Sequence, residues 1–241
     1  MTEELKAFAR RQQLTLNTVI QGAWALLLSR YSRERDVIFG IVVSGRPTEL
    51  AGFESMIGLF VNTLPMRATV REEEKIGEWL KGLQREQAEM RQYEYSPLVQ
   101  VQGWSEVPRG LPLFESYLNF LNYPIDESLR KSGGAVEIRS ARSVGTASYP
   151  LAVDVMPGSE LAVEITYEAR RFDRAGVARV LSNLETLLQS FVALPDADLK
   201  TLQEILDESD RQMQATREQE LQESLRQKMK AVRRRAVVEG H

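Results

Sequence analysis

The spacing of apolar and polar residues changes several times along this chain, and each change marks a predicted element. Residues 2–12 read as a short charged helix. From Thr15 to Tyr31, Leu16, Ile20, Ala23 and Leu27, joined by Trp24, recur on one broad helical face. The run "DVIFGIVV" that follows is apolar at six of eight positions and mostly β-branched or aromatic. It predicts a strand from Asp36 to Ser44, buried on both faces. Leu50 to Met56 is a loop or short helix. Residues 59–70 read as another strand, in which Pro65 asks for an edge position or a bulge. Ile76 to Tyr93 is a helix with Trp79, Leu80, Leu83 and Met90 toward the core, and Pro97 opens a short helical segment. An aromatic-rich strand over residues 113–124 stops at Pro124.

The second half is predicted to begin with a polar loop, residues 127–135, containing Gly133-Gly134. Three strands follow, Val136 to Ser143, Tyr149 to Met156 and Leu161 to Tyr167, the last two joined by the hairpin signal "PGSE". A long helix starts at Phe172-Asp173, with Asp173 as N-cap, and runs through Val192. This is a mixed α/β chain, an α+β sandwich, with no internal repeat and no strict βαβ alternation. From about Thr201 the residues are nearly all good helix formers, with no glycine until Gly240. Leu221, Leu225, Met229 and Val232 form an apolar stripe with a basic end. A helix packed back on the domain and a docking helix for a partner protein are both compatible with that stripe. Nucleic-acid binding by Arg233 to Arg235 is the weakest reading, because aromatics to stack bases are missing. The expected organisation is a globular unit over 1–206 and a charged helical tail over 207–241.

Composition then removes whole classes of chemistry. The chain has no cysteine, so thiolate nucleophiles, disulfides and cysteine metal sites are excluded. Its single histidine is His241, whose terminal place reads as solvated rather than catalytic. Histidine-based acid–base work, Ser-His-Asp triads and histidine metal sites therefore have no source within the chain. A net charge of -3 gives no pull toward nucleic acid or anionic membrane. No apolar run reaches transmembrane length, the charged start does not read as a signal peptide, and a cytoplasmic location is expected.

A few residues stand out against this background. Arg46 in "SGRP" ends a buried strand, and an always-charged guanidinium there needs a carboxylate or phosphate, or an exit to water. Asn62 interrupts an apolar strand and needs internal partners or a polar cavity. Gly40, Gly45 and Gly58 form no phosphate-loop pattern and are assigned to turns or close approaches. Ser44 and Ser148 lack a base and are not nucleophiles. Tyr117, Asn119 and Tyr123 alternate onto one strand face, for packing or substrate contact. Trp24, Trp79 and Trp104 are expected in the core.

Four segments in order carry a resemblance. "RDVIFGIVVSGRP" (35–47), "MIGLFVNTLPMR" (56–67), the stretch from "RQYEYSPL" to "LNYP" (91–124), and "YPLAVDVMPGSELAVEITYEARRFD" (149–173) are similar to successive motifs of nonribosomal peptide synthetase condensation domains. The pattern is closest to the subtype that joins L-configured units. The resemblance implies a chloramphenicol acetyltransferase-like fold of two lobes, each a mixed sheet flanked by helices, with the reaction site between them. All four motifs belong to the C-terminal lobe, and the family's histidine motif, HHxxxDG, belongs to the N-terminal one. The chain therefore resembles one lobe of an enzyme domain, expected to be inactive by itself. By the same resemblance, Arg46 matches the arginine that grips the aspartate of the histidine motif, giving structural support to the active site. Ser44, Gly45, Asn62, Tyr117, Asn119 and Tyr123 become substrate-tunnel candidates. A bare turn at "SGRP" remains the competing reading of Arg46, and a purely structural hydrogen bond that of Asn62. No cofactor or metal is expected on the chain; the phosphopantetheine arms belong to donor and acceptor carrier proteins. The partners implied are the N-terminal lobe and those carriers. A non-catalytic interaction module, or a different acyl transfer on the same scaffold, are the alternatives.

Overall fold

Helix α1 (Thr2–Gln12) carries Glu3 and Glu4 in its first turn and Arg10 and Arg11 in its last, the order that suits the helix dipole. It ends at Gln13, in the left-handed region at φ 59°. Helix α2 (Leu16–Ser32) is capped by Thr15, whose hydroxyl accepts from the Thr18 amide at 3.0 Å. The computed structural model describes residues 1–45, 52, 56–108, 110–122 and 149–238; in the last helix, side chains are described to 216 and at 218, 219 and 222.

Among the described residues the sheet has five strands, β1 (Asp36–Val43), β2 (Asn62–Thr69), β3 (Ser116–Phe120), β4 (Leu151–Met156) and β5 (Ala162–Tyr167), in the order β2-β1-β3-β4-β5. The three inner strands run parallel, and β2 and β5 flank them antiparallel. Pro65 lies on the edge strand β2 opposite Gly40, where its missing N–H costs the ladder least. The β4–β5 hairpin forms as its turn signal predicts.

One sheet face is covered by helices. Val37, Phe39 and Ile41 of β1 lie beside Leu64, Met66 and Ala68 of β2, and continue into Leu118, Val153 and Val155, all buried. The opposite face is mixed. Asp36 and Ile38 are exposed there, so β1 is not buried on both faces along its whole length, as its composition suggests. The reason is local: the outer face at the start of β1 is polar, with the Asp36 carboxylate taking a two-pronged grip from Arg67, Nε to Oδ1 at 2.9 Å. Farther along, Gly40 is buried beneath the Phe114 ring, which a Cβ would meet at 2.5 Å.

Helix α3 (Ile76–Met90), a 3-10 turn (Arg91–Tyr93) and helix α4 (Leu98–Trp104) follow β2, and the Trp79 indole donates to the Thr69 carbonyl at 2.8 Å. Trp104 is 73% exposed, correcting its expected place in the core. It ends a short helix none of whose residues is buried. β3 is shorter than the aromatic run around it, because pairing stops at Phe120. The expected loop 127–135 and strand Val136–Ser143 lie outside the described residues. Helix α5 (Arg174–Ala193) starts at Asp173, whose carboxylate accepts from the Gly176 amide at 2.5 Å.

Helix α6 (Leu199–Val238) begins within the globular unit: Leu199, Leu202 and Leu206 are buried. One turn on, Arg30 of α2 binds Asp207 and also Asp210, the latter at 2.7 Å. Buried Asn183 donates to the other Asp210 oxygen at 3.1 Å and to the Tyr31 hydroxyl at 3.0 Å. The helix is unbroken through residues 206 and 207. No helix among the described residues is long and apolar enough to cross a membrane.

Helix α2 is buried almost all round rather than on one face, and at Gly22 it meets α3 with no space for a side chain. A Cβ there would run into the Leu80 Cδ2 methyl and lie 3.2 Å from the Trp79 ring. Alanine is the better helix former by about 1 kcal/mol, but overpacking a tight helix contact costs about 1–3 kcal/mol. Gly22→Ala is therefore expected to lower the denaturant midpoint. Gly82→Ala, with only the tip of Arg85 within 4 Å of its new methyl, should raise the midpoint, by a stability gain of about 0.5–1 kcal/mol. A stabilised Gly22→Ala protein would contradict this packing.

Candidate functional site

The parallel strands β1, β3 and β4 end on the same side of the sheet, the side on which open α/β sheets place their ligand crevices. From β1 the chain leaves through Ser44 and Gly45. Gly45 sits at φ 59°, a conformation open to glycine, and a Cβ there would overlap the Phe60 carbonyl oxygen. Its N–H donates to the Glu94 Oε2 at 3.2 Å. Asn62, at the start of β2, donates from Nδ2 to the carbonyls of Glu94 at 2.9 Å and Ser96 at 2.8 Å, and its Oδ1 accepts from the Thr63 amide. Both donors and the carbonyl of Asn62 are thus engaged within the chain. The result is a knot of three segments: the end of β1, the start of β2 and the turn after α3.

Behind the knot lies a half-open polar pocket of about 150 Å³, with the ends of α2 and α3 supplying Asn17, Gln21 and Gln87, and Glu94 at its border. Its amides bind one another. Gln87 donates to Gln21 Oε1 at 2.5 Å, and Gln21 to Asn17 Oδ1 at 3.0 Å. Thr18, fully buried, lies 3.0 Å from Gln87 Oε1. These polar groups are sequestered but paired, as burial requires.

Tyr117 and Asn119 form a second group on the sheet face away from the helices. Asn119 donates to Asp154 on the neighbouring β4 at 2.9 Å, and Tyr117 stands edge-on to Tyr149 with ring centres 5.5 Å apart. Tyr149 in turn stacks on Phe114 at 5.2 Å. Burial pushes the Tyr117 phenol up, and the Asp154 carboxylate adds to the shift, so the hydroxyl stays protonated and is not a base. Tyr117 pairs with Gly40 and Asn62 with Val43, so the two groups flank β1 from opposite sides.

Of the candidates read from the sequence, Ser44, Gly45 and Asn62 come together at the knot, and Tyr117 and Asn119 share their own face. Arg46, Tyr123, Ser148 and His241 lie outside the described residues. Glu94 is the side chain of the knot that sequence reasoning missed. The only signal is a lone acid between two tyrosines in "QYEYSP", which names no partner. Around the knot, Ile57 and Leu59 are fully or almost fully exposed, as is much of Tyr95 and Val99. Among the described residues, no cluster of acids or histidine is placed to hold a metal.

Comparison with known proteins gives this geometry a context. The family model for the condensation domain matches residues 1–214. One of the subunits of the linear gramicidin synthase of Brevibacillus parabrevis is 51% identical over 195 residues, which is 81% of this chain and 2% of that protein. Surfactin synthase subunit 3 of Bacillus subtilis is 32% identical over 218 residues, 88% of this chain and 17% of that protein. The chain thus spans a small part of the curated relatives it matches. Among solved structures, a four-domain nonribosomal peptide synthetase bound to AMP and glycine overlays with a TM-score of 0.72 at 14% identity, covering 83% of this chain and 16% of that one. The first condensation domain of the calcium-dependent antibiotic synthetase, in complex with a substrate analogue, overlays at 0.64 with 17% identity, covering 83% of this chain and 43% of that one. At such identities the likeness speaks for the fold, and the single mixed sheet with its helices agrees with one lobe of the fold that the motifs resemble.

The knot makes Gly45 intolerant of any side chain. Gly45→Ala combines a strained left-handed backbone with an overlap on Phe60, and is expected to cost about 1–3 kcal/mol in stability. Chemical denaturation measures it, with Gly103→Ala, which has open space, as comparison. Equal midpoints for the two variants would show that the turn relaxes freely.

Proposed function

The chain belongs to the condensation-domain family and corresponds to the C-terminal half of such a domain, and on that premise we propose that it works as the C-terminal lobe of a peptide-bond-forming condensation domain. The observation that carries the reading is the family match over the whole globular unit and the start of the tail, joined to relatives that are synthetases of peptide products. In the assembled domain the α-amine of the acceptor attacks the donor thioester carbonyl. A C–N bond forms, the C–S bond breaks, and the proton shed by the amine ends on the departing pantetheine thiol. Both acyl groups arrive on phosphopantetheine arms of carrier proteins, as substrate; the lobe itself holds no cofactor in this reading.

The chain's one histidine, His241, lies outside the matched residues, so the proton-transfer group comes from the HHxxxDG motif of the N-terminal lobe. The role proposed for this lobe is to form the floor of the site and part of the donor and acceptor tunnels. Ser44, Gly45, Asn62, Tyr117, Asn119 and Tyr123 are the tunnel candidates. Arg46 grips the aspartate of the histidine motif, where a planar guanidinium fixes a carboxylate in two-pronged fashion. Exposure of Ile57, Leu59, Tyr95 and Val99 beside the knot suits a surface that meets the other lobe. The reaction sets the remaining expectations: cytoplasmic work with the N-terminal lobe, donor and acceptor carriers, and neither nucleic acid nor membrane.

A second reading, an interaction module binding synthetase partners, is favoured by one feature. Helix α6 runs for 40 residues, while its buried described residues all lie near its start, at Leu199, Leu202 and Leu206. In that reading the rest of α6 docks a partner.

Mixing the chain with a matching N-terminal lobe and two loaded carriers separates these readings. Peptide bonds should form with the pair and not with either lobe alone. Arg46→Ala should cut turnover or lobe association strongly, since an unpaired buried carboxylate costs about 3–5 kcal/mol. Lysine should rescue only in part, because a point charge lacks the forked geometry. Arg10→Ala, on the exposed side of α1, should be nearly silent. An active pair indifferent to Arg46→Ala would reduce "SGRP" to a turn.

A further inference from the structure

The polypeptide that carries Arg46 leaves the sheet at Gly45, and the described structure says what holds that point. The Gly45 peptide is turned into the left-handed region, and its N–H is met by the Glu94 carboxylate at 3.2 Å. Glu94 is half-buried, and its own backbone is fixed from both directions. Its N–H donates to the Arg91 carbonyl at 3.3 Å, continuing the turn after α3, and its carbonyl accepts from Asn62. The same Asn62 amide also holds the Ser96 carbonyl, so β2 clamps residues on either side of Tyr95. The side chain of Glu94 is therefore presented from a pinned backbone.

We propose that Glu94 is a positioning residue for the condensation reaction: its carboxylate sets the Gly45 peptide, and through it the departure of the chain toward Arg46. This rests on the condensation-domain reading above. An ionised acceptor suits the task, because a charge-assisted hydrogen bond holds an amide more tightly than a neutral one. The carboxylate touches no reacting atom in this role. Asn62 acts one step behind, by holding the Glu94 backbone. The coupling runs from α3 through Glu94 to β1, so the orientation of the β1 exit depends on a residue 49 positions downstream.

Two variants test this, with two readouts. In the full chain, Glu94→Ala should speed hydrogen exchange of the Gly45 amide by on the order of tenfold or more, the scale of a lost hydrogen bond to a charged group. Glu94→Gln keeps a carbonyl acceptor and should restore most of the protection. The unfolding midpoint reports separately whether either variant is globally destabilised. In the pair reconstituted with the N-terminal lobe and loaded carriers, Glu94→Ala should lower kcat by about tenfold with little change in the KM for the acceptor carrier, with Glu94→Gln intermediate. Unchanged Gly45 exchange in Glu94→Ala overturns the tether, whatever the activity. Faster exchange with undiminished kcat overturns the positioning role and leaves the condensation reading standing. A wild-type pair that forms no peptide bond overturns the condensation reading and this role with it, while the exchange data still decide the tether.

Discussion

Everything in this lobe is arranged around a helix with almost no polar side. α2 packs against α1, α3, α5 and the inner strand β1, and eleven of its residues are buried. A helix so enclosed must match its neighbours in shape on every side, and close packing gives little room for adjustment. Gly22 lets the Leu80 side chain of α3 press against the α2 backbone. Trp24, Leu26 and Leu27 fill the remaining sides. The enclosure has a cost, since the Trp24 indole N–H is buried without a partner among the described residues, a loss of about 1–3 kcal/mol that the surrounding apolar contacts offset.

The position of α2 in turn sets the polar architecture at the end of β1. Thr18 and Gln21 are buried on it and cannot reach water, so Gln84 and Gln87 of α3 answer them. That amide chain brings the end of α3 beside the last residues of β1, and the turn that follows delivers Glu94 to Gly45. The site is thus a by-product of helix packing: a mixed sheet supplies the direction, and the α2–α3 contact supplies the distance.

Much of this was legible in the sequence, for physical reasons that differ from element to element. The helical period over 15–31 and the Asp173 cap are local signals, and the helices form within a residue of them. Pro65 announced an edge because a missing donor is tolerated in few places. The knot was legible only by halves. A lone Asn62 in an apolar strand demands partners, but its partners lie more than thirty residues away and are carbonyls, which every residue possesses. Glu94 was invisible because one more acid among many carries no pattern. Trp104 misled because aromatic residues are buried on average, and its short helix offers no buried face to join.

The grip of Arg30 on Asp207 and Asp210 has a mechanical side. It fastens one end of an unbroken helix that continues from Asp210 to Val238. At about 1.5 Å per residue, those 28 further residues form a lever of roughly 40 Å. A flexible linker forgives changes in its length; a rod does not. Deleting a single residue beyond Thr216 would leave the Arg30 grip and the buried start of the helix in place. It would nevertheless swing whatever the rod meets through about 100° around its axis, so the phase of this helix, more than its composition, fixes the bearing of what lies beyond it.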